Sequence, residues 1–244
     1  MYLGRLFQDS PLTTGQSLSL DERGSHYIGT VLRGRVGDTL TLFNGLGGDY
    51  PTTLTLIAKK HCVVEIGEWH NQEIESPLKI TLAQGIARGE RMDVIVQKAV
   101  ELGVFDVMPL LTERCNVRLS GEREEKRLLH WQQVAISACE QSGRNQVPMI
   151  HAPEPYSSWV SSCHNEYGFV LSPHVQNHLS EMKVPSSSRV CVVIGPEGGL
   201  TEEEVLQAVN KGFKPLSLGP RILRTETATL AALTAMQLYF GDLG

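Results

Sequence analysis

Val192-Val-Ile-Gly-Pro-Glu-Gly-Gly-Leu-Thr201 runs from a β-branched apolar stretch straight into a glycine-rich bend. A strand apolar on both of its faces belongs in a sheet covered on both sides. Gly195, Gly198 and Gly199 permit positive φ and let a ligand approach the backbone closely. Thr201 and Glu204 then form a capping box that opens a helix over Glu202 to Asn210. In open α/β sheets the crevice beyond the carboxyl ends of such strands is where ligands bind.

Outward from this stretch the same grammar repeats. Lys79 to Ile86 reads as a strand, and Glu90 to Leu102 as a helix with Met92, Ile95, Ala99 and Leu102 on one face. Phe105 to Leu111 is a strand, and Gly121 to Ser142 a long helix ending at Gly143. Further strands are expected at Gly168 to Leu171, Arg189 to Ile194 and Pro215 to Leu218, and a last helix at Glu226 to Phe240. Strands alternating with helices imply an α/β fold with a mostly parallel sheet and helices on both faces. The first seventy residues read instead as β. Asp38 to Asn44 alternates, Asn44-Gly45 marks a turn, and strands follow at Thr53 to Ile57 and Cys62 to Ile66. These three strands, with one helix over Ser25 to Leu32, suggest a small barrel or folded sheet. Glu73 to Pro77 reads as a linker, so the expected domains are 1–72 and 73–244. The serine-rich pieces 157–162 and 186–188 read as loops.

Composition narrows the function classes. The 244 residues are 41% hydrophobic and 20% charged, which excludes a disordered or fibrous chain. A chain of this size buries roughly 70% of its unfolded surface without any staple. The net charge of −5 excludes a globally basic nucleic-acid coat protein, though not a local basic face. Five scattered cysteines, odd in number and without a CxxC pair, suggest a reducing compartment, hence a cytoplasmic protein. The start lacks an apolar signal core, and Leu230 to Phe240 is too short and interrupted to span a bilayer, so no membrane is expected. His174 and His178 are four apart, with Cys163-His164 upstream, but no further ligand completes a set, so no metal is expected. Trp69, Trp131 and Trp159 read as packing residues.

The glycine bend has neither the Gly-Lys-Ser/Thr of a phosphate loop nor a GxGxxG fingerprint. Glu197 and Glu202 to Glu204 disfavour a pyrophosphate, whereas a ligand with a positive centre, such as S-adenosylmethionine, suits an acidic loop. A second bend, Leu218-Gly-Pro-Arg-Ile-Leu-Arg-Thr-Glu-Thr-Ala228, turns at Gly219-Pro220 and offers Ile222 and Leu223 as an apolar wall. Thr225 or Thr227 is placed to cap the last helix. Arg221 and Arg224 are either solvated surface or binders of phosphate or a polarised carbonyl.

Together, Gly195 to Thr201 and Leu218 to Ala228 resemble the SPOUT class of RNA methyltransferases. Arg88-Gly-Glu-Arg-Met92, Gln97-Lys-Ala-Val-Glu-Leu-Gly-Val104, Thr112-Glu-Arg-Cys115, Cys139-Glu-Gln-Ser-Gly-Arg144 and Phe240-Gly-Asp-Leu-Gly244 narrow the likeness to the ribosomal RNA small subunit methyltransferase E family. That resemblance implies methylation of a uridine N3 in 16S rRNA of the small ribosomal subunit, with S-adenosylmethionine as cofactor. It implies a trefoil-knotted, SPOUT-type C-terminal domain, an N-terminal PUA-like β-barrel for RNA, and a homodimer. Carried over by position, the cofactor cradle is Leu171, Ile194, Gly195, Pro196, Glu197, Gly198, Gly199, Leu218, Gly219, Ile222, Leu223, Arg224 and Thr225.

The N3 of uridine is a poor nucleophile until its proton leaves, so the site must stabilise a developing anion. Arg224 is the first candidate for that role, with Glu226 or a water as general base. N3 lies on the pairing edge, so the base must be unpaired or flipped. Arg33, Arg35, Arg88, Arg91, Arg118 and Arg144 are the candidates for RNA phosphates. Two readings compete: a methyltransferase of the same class acting on tRNA or ribose, and a non-catalytic RNA-binding assembly factor, which need not bind S-adenosylmethionine.

Overall fold

The computed structural model describes residues 1–58, 61–117, 119–164, 166–173, 175, 177 and 179–244. The chain divides into two compact units, Met1–Glu75 with Cys139–Val147, and Ser76–Ala138 with Pro148–Gly244.

The first unit holds β1 (Tyr2–Phe7), β2 (Ser17–Ser19), α1 (Glu22–His26), β3 (Thr39–Phe43), β4 (Tyr50–Ala58) and β5 (His61–Ile66). They form one five-stranded sheet in the order β1-β3-β4-β5-β2, parallel only where β1 meets β3. Period-two alternation sends Leu40, Leu42, Leu54, Val64 and Ile66 inward to a core shared with Leu6 and Ile28. The sequence reading found three of these strands. It missed β1 and β2, which carry too few alternating residues to signal alone. The expected helix over Ser25 to Leu32 starts earlier, because Asp21 caps α1 by accepting from the Gly24 amide at 2.6 Å. It then widens into a π turn at Tyr27–Val31.

Cys139–Val147 is bonded into this unit. Glu140 accepts from the Phe7 amide and pairs with Arg23 at 2.7 Å. Asn145 is held by Arg5 and the Gln72 carbonyl, and Arg144 by Glu75. Glu73 to Pro77 is therefore no free linker. Glu73 and Glu75 hold their own turn and Gln146 by hydrogen bonds.

The second unit runs β6 (Lys79–Gly85), α2 (Glu90–Glu101), β7 (Asp106–Leu111), α3 (Glu122–Ser142, its end in the first unit), β8 (Met149–Ile150), β9 (Glu154–Pro155), α4 (Tyr156–Ser162), β10 (Tyr167–Leu171), β11 (Arg189–Ile194), α5 (Glu202–Asn210), β12 (Lys214–Leu216) and α6 (Thr225–Phe240). Its sheet is ordered β12-β10-β11-β6-β7-β8, with β9 also on β7, and every pairing is parallel. β11 and β6 are buried almost throughout, as their unbroken apolar runs require. The serine-rich piece 157–162 is helical, not a loop. Tyr156, Trp159 and Val160 supply a buried i, i+3, i+4 stripe that outweighs the weak propensity of serine. Trp131 and Trp159 are packed, whereas Trp69 is 47% exposed.

Candidate functional site

Because all strands of the second sheet run one way, Gly85, Leu111, Leu171, Ile194 and Leu216 all end at one edge. Leu171 pairs with Leu216, Val170 with Val193, and Ile194 with Gln84, so the loops after β10, β11, β12 and β6 leave side by side.

The β11 loop is tight. Of its three glycines only Gly199 has positive φ, at 68°, and its amide closes a turn on the Pro196 carbonyl at 2.8 Å. Gly195 and Gly198 serve a different need from the expected one. A Cβ on Gly195 would lie 2.7 Å from the Gly199 carbonyl carbon, and one on Gly198 would lie 2.9 Å from Arg114 Cβ. Thr201 and Glu204 form the expected capping box. The other Glu204 oxygen accepts from the Glu113 amide at 2.8 Å.

Glu197 accepts from the Arg88 amide at 2.9 Å and from the Arg91 guanidinium at 2.8 Å. Partial burial pushes its carboxyl up, but the Arg88 amide, its own amide and Arg91 outweigh that and hold it below the usual carboxylate range. The acidity of this loop is thus already neutralised from within, and the argument that an acidic loop selects a cationic ligand does not hold for Glu197.

Thr225 neither caps α6 nor leaves that to Thr227. It is the first helical residue, Arg224 is the N-cap, and no side chain caps the helix. The Thr225 hydroxyl instead donates to the Gly195 carbonyl at 2.7 Å. This bond brings the two glycine-bearing bends together. The β12 loop is further shaped by Gly219 at φ 101° and by the Ser217 hydroxyl, which bonds the Gly219 backbone. In this loop Leu218, Gly219 and Leu223 are half-buried, Arg221 and Arg224 are exposed, and Ile222 is 85% exposed.

Glu226 lies in the first turn of α6, half-buried, with Oε2 buried and lacking a hydrogen-bond partner. It lines a shallow cavity of about 470 Å³ with Val94, Thr227, Leu230, Ala231, Thr234, Ala235 and Leu238. No residue of the β11 loop lines that cavity.

The arginines expected on RNA part company. Arg33 and Arg35 are exposed beside each other in the first unit, and Arg88 is exposed at the end of the β6 loop. Arg91 is engaged with Glu197. Arg144 is 5% exposed and pairs with Glu75, so its guanidinium is spent inside the first unit rather than offered to phosphate. Arg118, His174 and His178 lie outside the described residues. Among the described residues no helix is long and apolar enough to cross a membrane, and no group of three His, Cys, Asp or Glu side chains could hold a metal ion. No disulfide links the described cysteines, and burial pushes the Cys139 thiol up to about 12, which removes it as a nucleophile.

Two residues absent from the sequence-derived site join it here. Arg114, from the Thr112-Glu-Arg-Cys115 motif, donates to the Gly198 carbonyl at 3.0 Å and reaches that of Leu200 at 3.4 Å. Gln84, at the end of β6, donates from Nε2 to Thr225 Oγ1 at 3.0 Å and lies 3.3 Å from the Gly195 carbonyl. An amide in an otherwise apolar strand end was the signal available for Gln84.

Comparison with known proteins places these features. The model of an RNA methyltransferase domain matches residues 74–237, and that of an RNA methyltransferase PUA domain matches residues 20–67. The chain is 38% identical to the ribosomal RNA small subunit methyltransferase E of Buchnera aphidicola from Schizaphis graminum, over 95% of this chain and 94% of the relative. Its Bacillus subtilis counterpart is 32% identical over 86% of each chain. Among solved structures, a Legionella pneumophila protein described as a methyltransferase, in complex with bound S-adenosylmethionine, superposes with a TM-score of 0.95 at 40% identity, covering 98% of both chains. The ribosomal RNA small subunit methyltransferase E of Neisseria gonorrhoeae, bound to the same molecule, gives 0.92 at 40% identity, covering 99% of both.

Proposed function

Since this chain belongs to the ribosomal RNA small subunit methyltransferase E family, we propose that it methylates N3 of one uridine in 16S rRNA, using S-adenosylmethionine. The observation that carries this reading is the bond from Thr225 to the Gly195 carbonyl, which joins the two strand-end bends one residue after Arg224.

The residues present fit the cofactor. Ile222 exposes nearly all of its apolar side chain beside half-buried Leu223, an arrangement that costs free energy unless something covers it. Leu171, Ile194 to Gly199, Leu218, Gly219 and Ile222 to Thr225 would hold it at the sheet edge. S-adenosylmethionine, when bound, supplies an electrophilic methyl whose sulfonium sulfur leaves as a neutral thioether. Arg224 stands outside the helix it caps and is exposed, so its guanidinium is free to donate to a uracil carbonyl as negative charge builds on the pyrimidine. Glu226, in the first turn of α6, takes the N3 proton directly or through water. The uridine enters unpaired, because its pairing edge is the one that reacts.

The remaining parts of the reading have their own support. The first unit serves as the RNA-binding module, with Arg33 and Arg35 toward phosphate, and Arg88 contributes from the second. The chain threads into a trefoil knot in the C-terminal domain, in keeping with α6 returning to pack on α2 beside the β11 loop. A second copy packs on the far end of α6, where Leu238 and Tyr239 are exposed, forming a homodimer. The enzyme works in the cytoplasm, where its RNA is made.

Small subunits from a strain lacking this protein test the reading. Wild-type protein should restore N3-methyluridine to their rRNA. Arg224→Ala should bind S-adenosylmethionine within about threefold of wild type yet lose at least about a hundredfold in turnover, near the loss of one oxyanion donor. Methylation of tRNA or of ribose, or near-normal turnover by Arg224→Ala, would overturn it.

A further inference from the structure

We propose that Gln84 is a positioning residue that fixes the two strand-end bends relative to each other for cofactor binding, acting through Thr225 and the Gly195 carbonyl. This rests on the reading above that those bends hold S-adenosylmethionine.

Gln84 is fully buried at the carboxyl end of β6, the strand beside β11. Its Nε2 lies 3.0 Å from Thr225 Oγ1, 2.9 Å from the Gly85 carbonyl and 3.3 Å from the Gly195 carbonyl. Its Oε1 accepts from the Thr229 hydroxyl at 2.8 Å. One side chain thus reaches the end of β6, the loop after β11 and two successive turns of α6. Burying an amide costs free energy unless its bonds are made, and an aliphatic residue would fill the same space more cheaply. What an aliphatic residue lacks is a donor. With Nε2 donating to its oxygen, the Thr225 hydroxyl directs its single hydrogen at Gly195. Gln84 therefore sets the direction of the bond that joins the bends.

Two consequences follow for the proposed reaction. The Gly195 carbonyl belongs to the loop expected to cradle the cofactor, so losing its anchors lets that loop relax. Arg224 immediately precedes Thr225, so the same loss frees the start of α6 and misaims its guanidinium. A misplacement near 1 Å costs about a hundredfold in a positioned reaction. A residue that only filled space would affect neither.

The test measures S-adenosylmethionine binding by calorimetry, thermal unfolding, and kcat and KM for each substrate. Gln84→Met, which keeps the volume but has no donor, should weaken S-adenosylmethionine binding at least about tenfold and lower kcat, with KM for RNA unchanged. Gln84→Glu should bind more tightly as pH falls from 8 to 6, because only the neutral acid has a hydrogen to donate to Thr225 Oγ1, while wild type stays flat. Thr225→Ser, which keeps the hydroxyl donor, should bind at least about tenfold more tightly than Thr225→Val. Thr225→Val should lose wild-type binding, and the Gln84→Met, Thr225→Val pair should be no weaker than the worse single variant. If Gln84→Met fails to fold, Thr225→Val against Thr225→Ser, each altering one group, decides the matter. Binding within twofold of wild type by Gln84→Met or Thr225→Val, or losses that multiply in the pair, would overturn the proposal. Wild-type protein that binds no S-adenosylmethionine would instead defeat the reading of the site itself.

Discussion

At the scale of single residues, the arginines show how little a residue's type says about its role. Arg144 and Glu75 are both nearly excluded from solvent, and removing one member of such a pair strands the other charge. Arg144→Ala should cost about 3–5 kcal/mol in denaturant unfolding. The salt dependence of RNA binding by the folded protein should not change. Arg33 is the opposite case. It is exposed and holds φ at 53°, a left-handed conformation that costs an L-residue about 1–2 kcal/mol. Strain of this kind persists where a side chain is wanted for something else. Arg33→Gly should therefore raise stability by up to about 1 kcal/mol while weakening RNA binding. A variant that gains stability with unchanged RNA affinity would remove Arg33 from the interface.

At the scale of elements, short strands are tied by side chains where backbone ladders are brief. β8 has two residues, and the His151 ring just after it bonds Asp106 at the start of β7 at 2.9 Å. That bond, chiefly, raises the His151 pKa against the opposing effect of burial. A raised histidine pKa stabilises the folded state below the unfolded value near 6.5 and loses that contribution as pH rises through the folded value. His151→Ala should then cost more at pH 5.5 than at pH 8.5, by less than about 1 kcal/mol for a partly exposed pair. Equal losses at both pH values would show that the pair acts only as a neutral hydrogen bond. The elements themselves were largely legible. Long periodic segments such as α2, α3 and α6 and apolar β6 and β11 fall within a residue or two of their sequence-derived limits. What escaped was β1, which does not alternate clearly, the brief β2, β8 and β9, and α4 hidden under a serine-rich composition.

At the scale of the whole molecule, the net charge of −5 must coexist with a polyanionic partner. Exposed Arg33, Arg35 and Arg88 are the cations left for phosphate from the expected set among the described residues, since Arg91 and Arg144 are engaged internally. Three neutralised phosphates predict that RNA affinity falls roughly 40-fold between about 50 and 200 mM salt. A slope near zero would mean that shape alone carries binding.

The parallel sheet and both glycine-bearing bends were legible in the chain alone, because hydrophobic period and turn chemistry are local properties, whereas the return of Cys139–Val147 to the first unit was not. The sequence also carried enough separated motifs to identify the family. Which charges are free and which are spent is a matter of folding, since Glu197 is answered by the Arg88 amide and the Arg91 guanidinium, and Arg144 by Glu75, across long stretches of chain. The tertiary structure alone brought Thr225 to Gly195 under Gln84. Hydrogen bonds between residues 30 to 141 positions apart leave no periodic trace in a sequence, and they are what tie the two bends to each other and to β6.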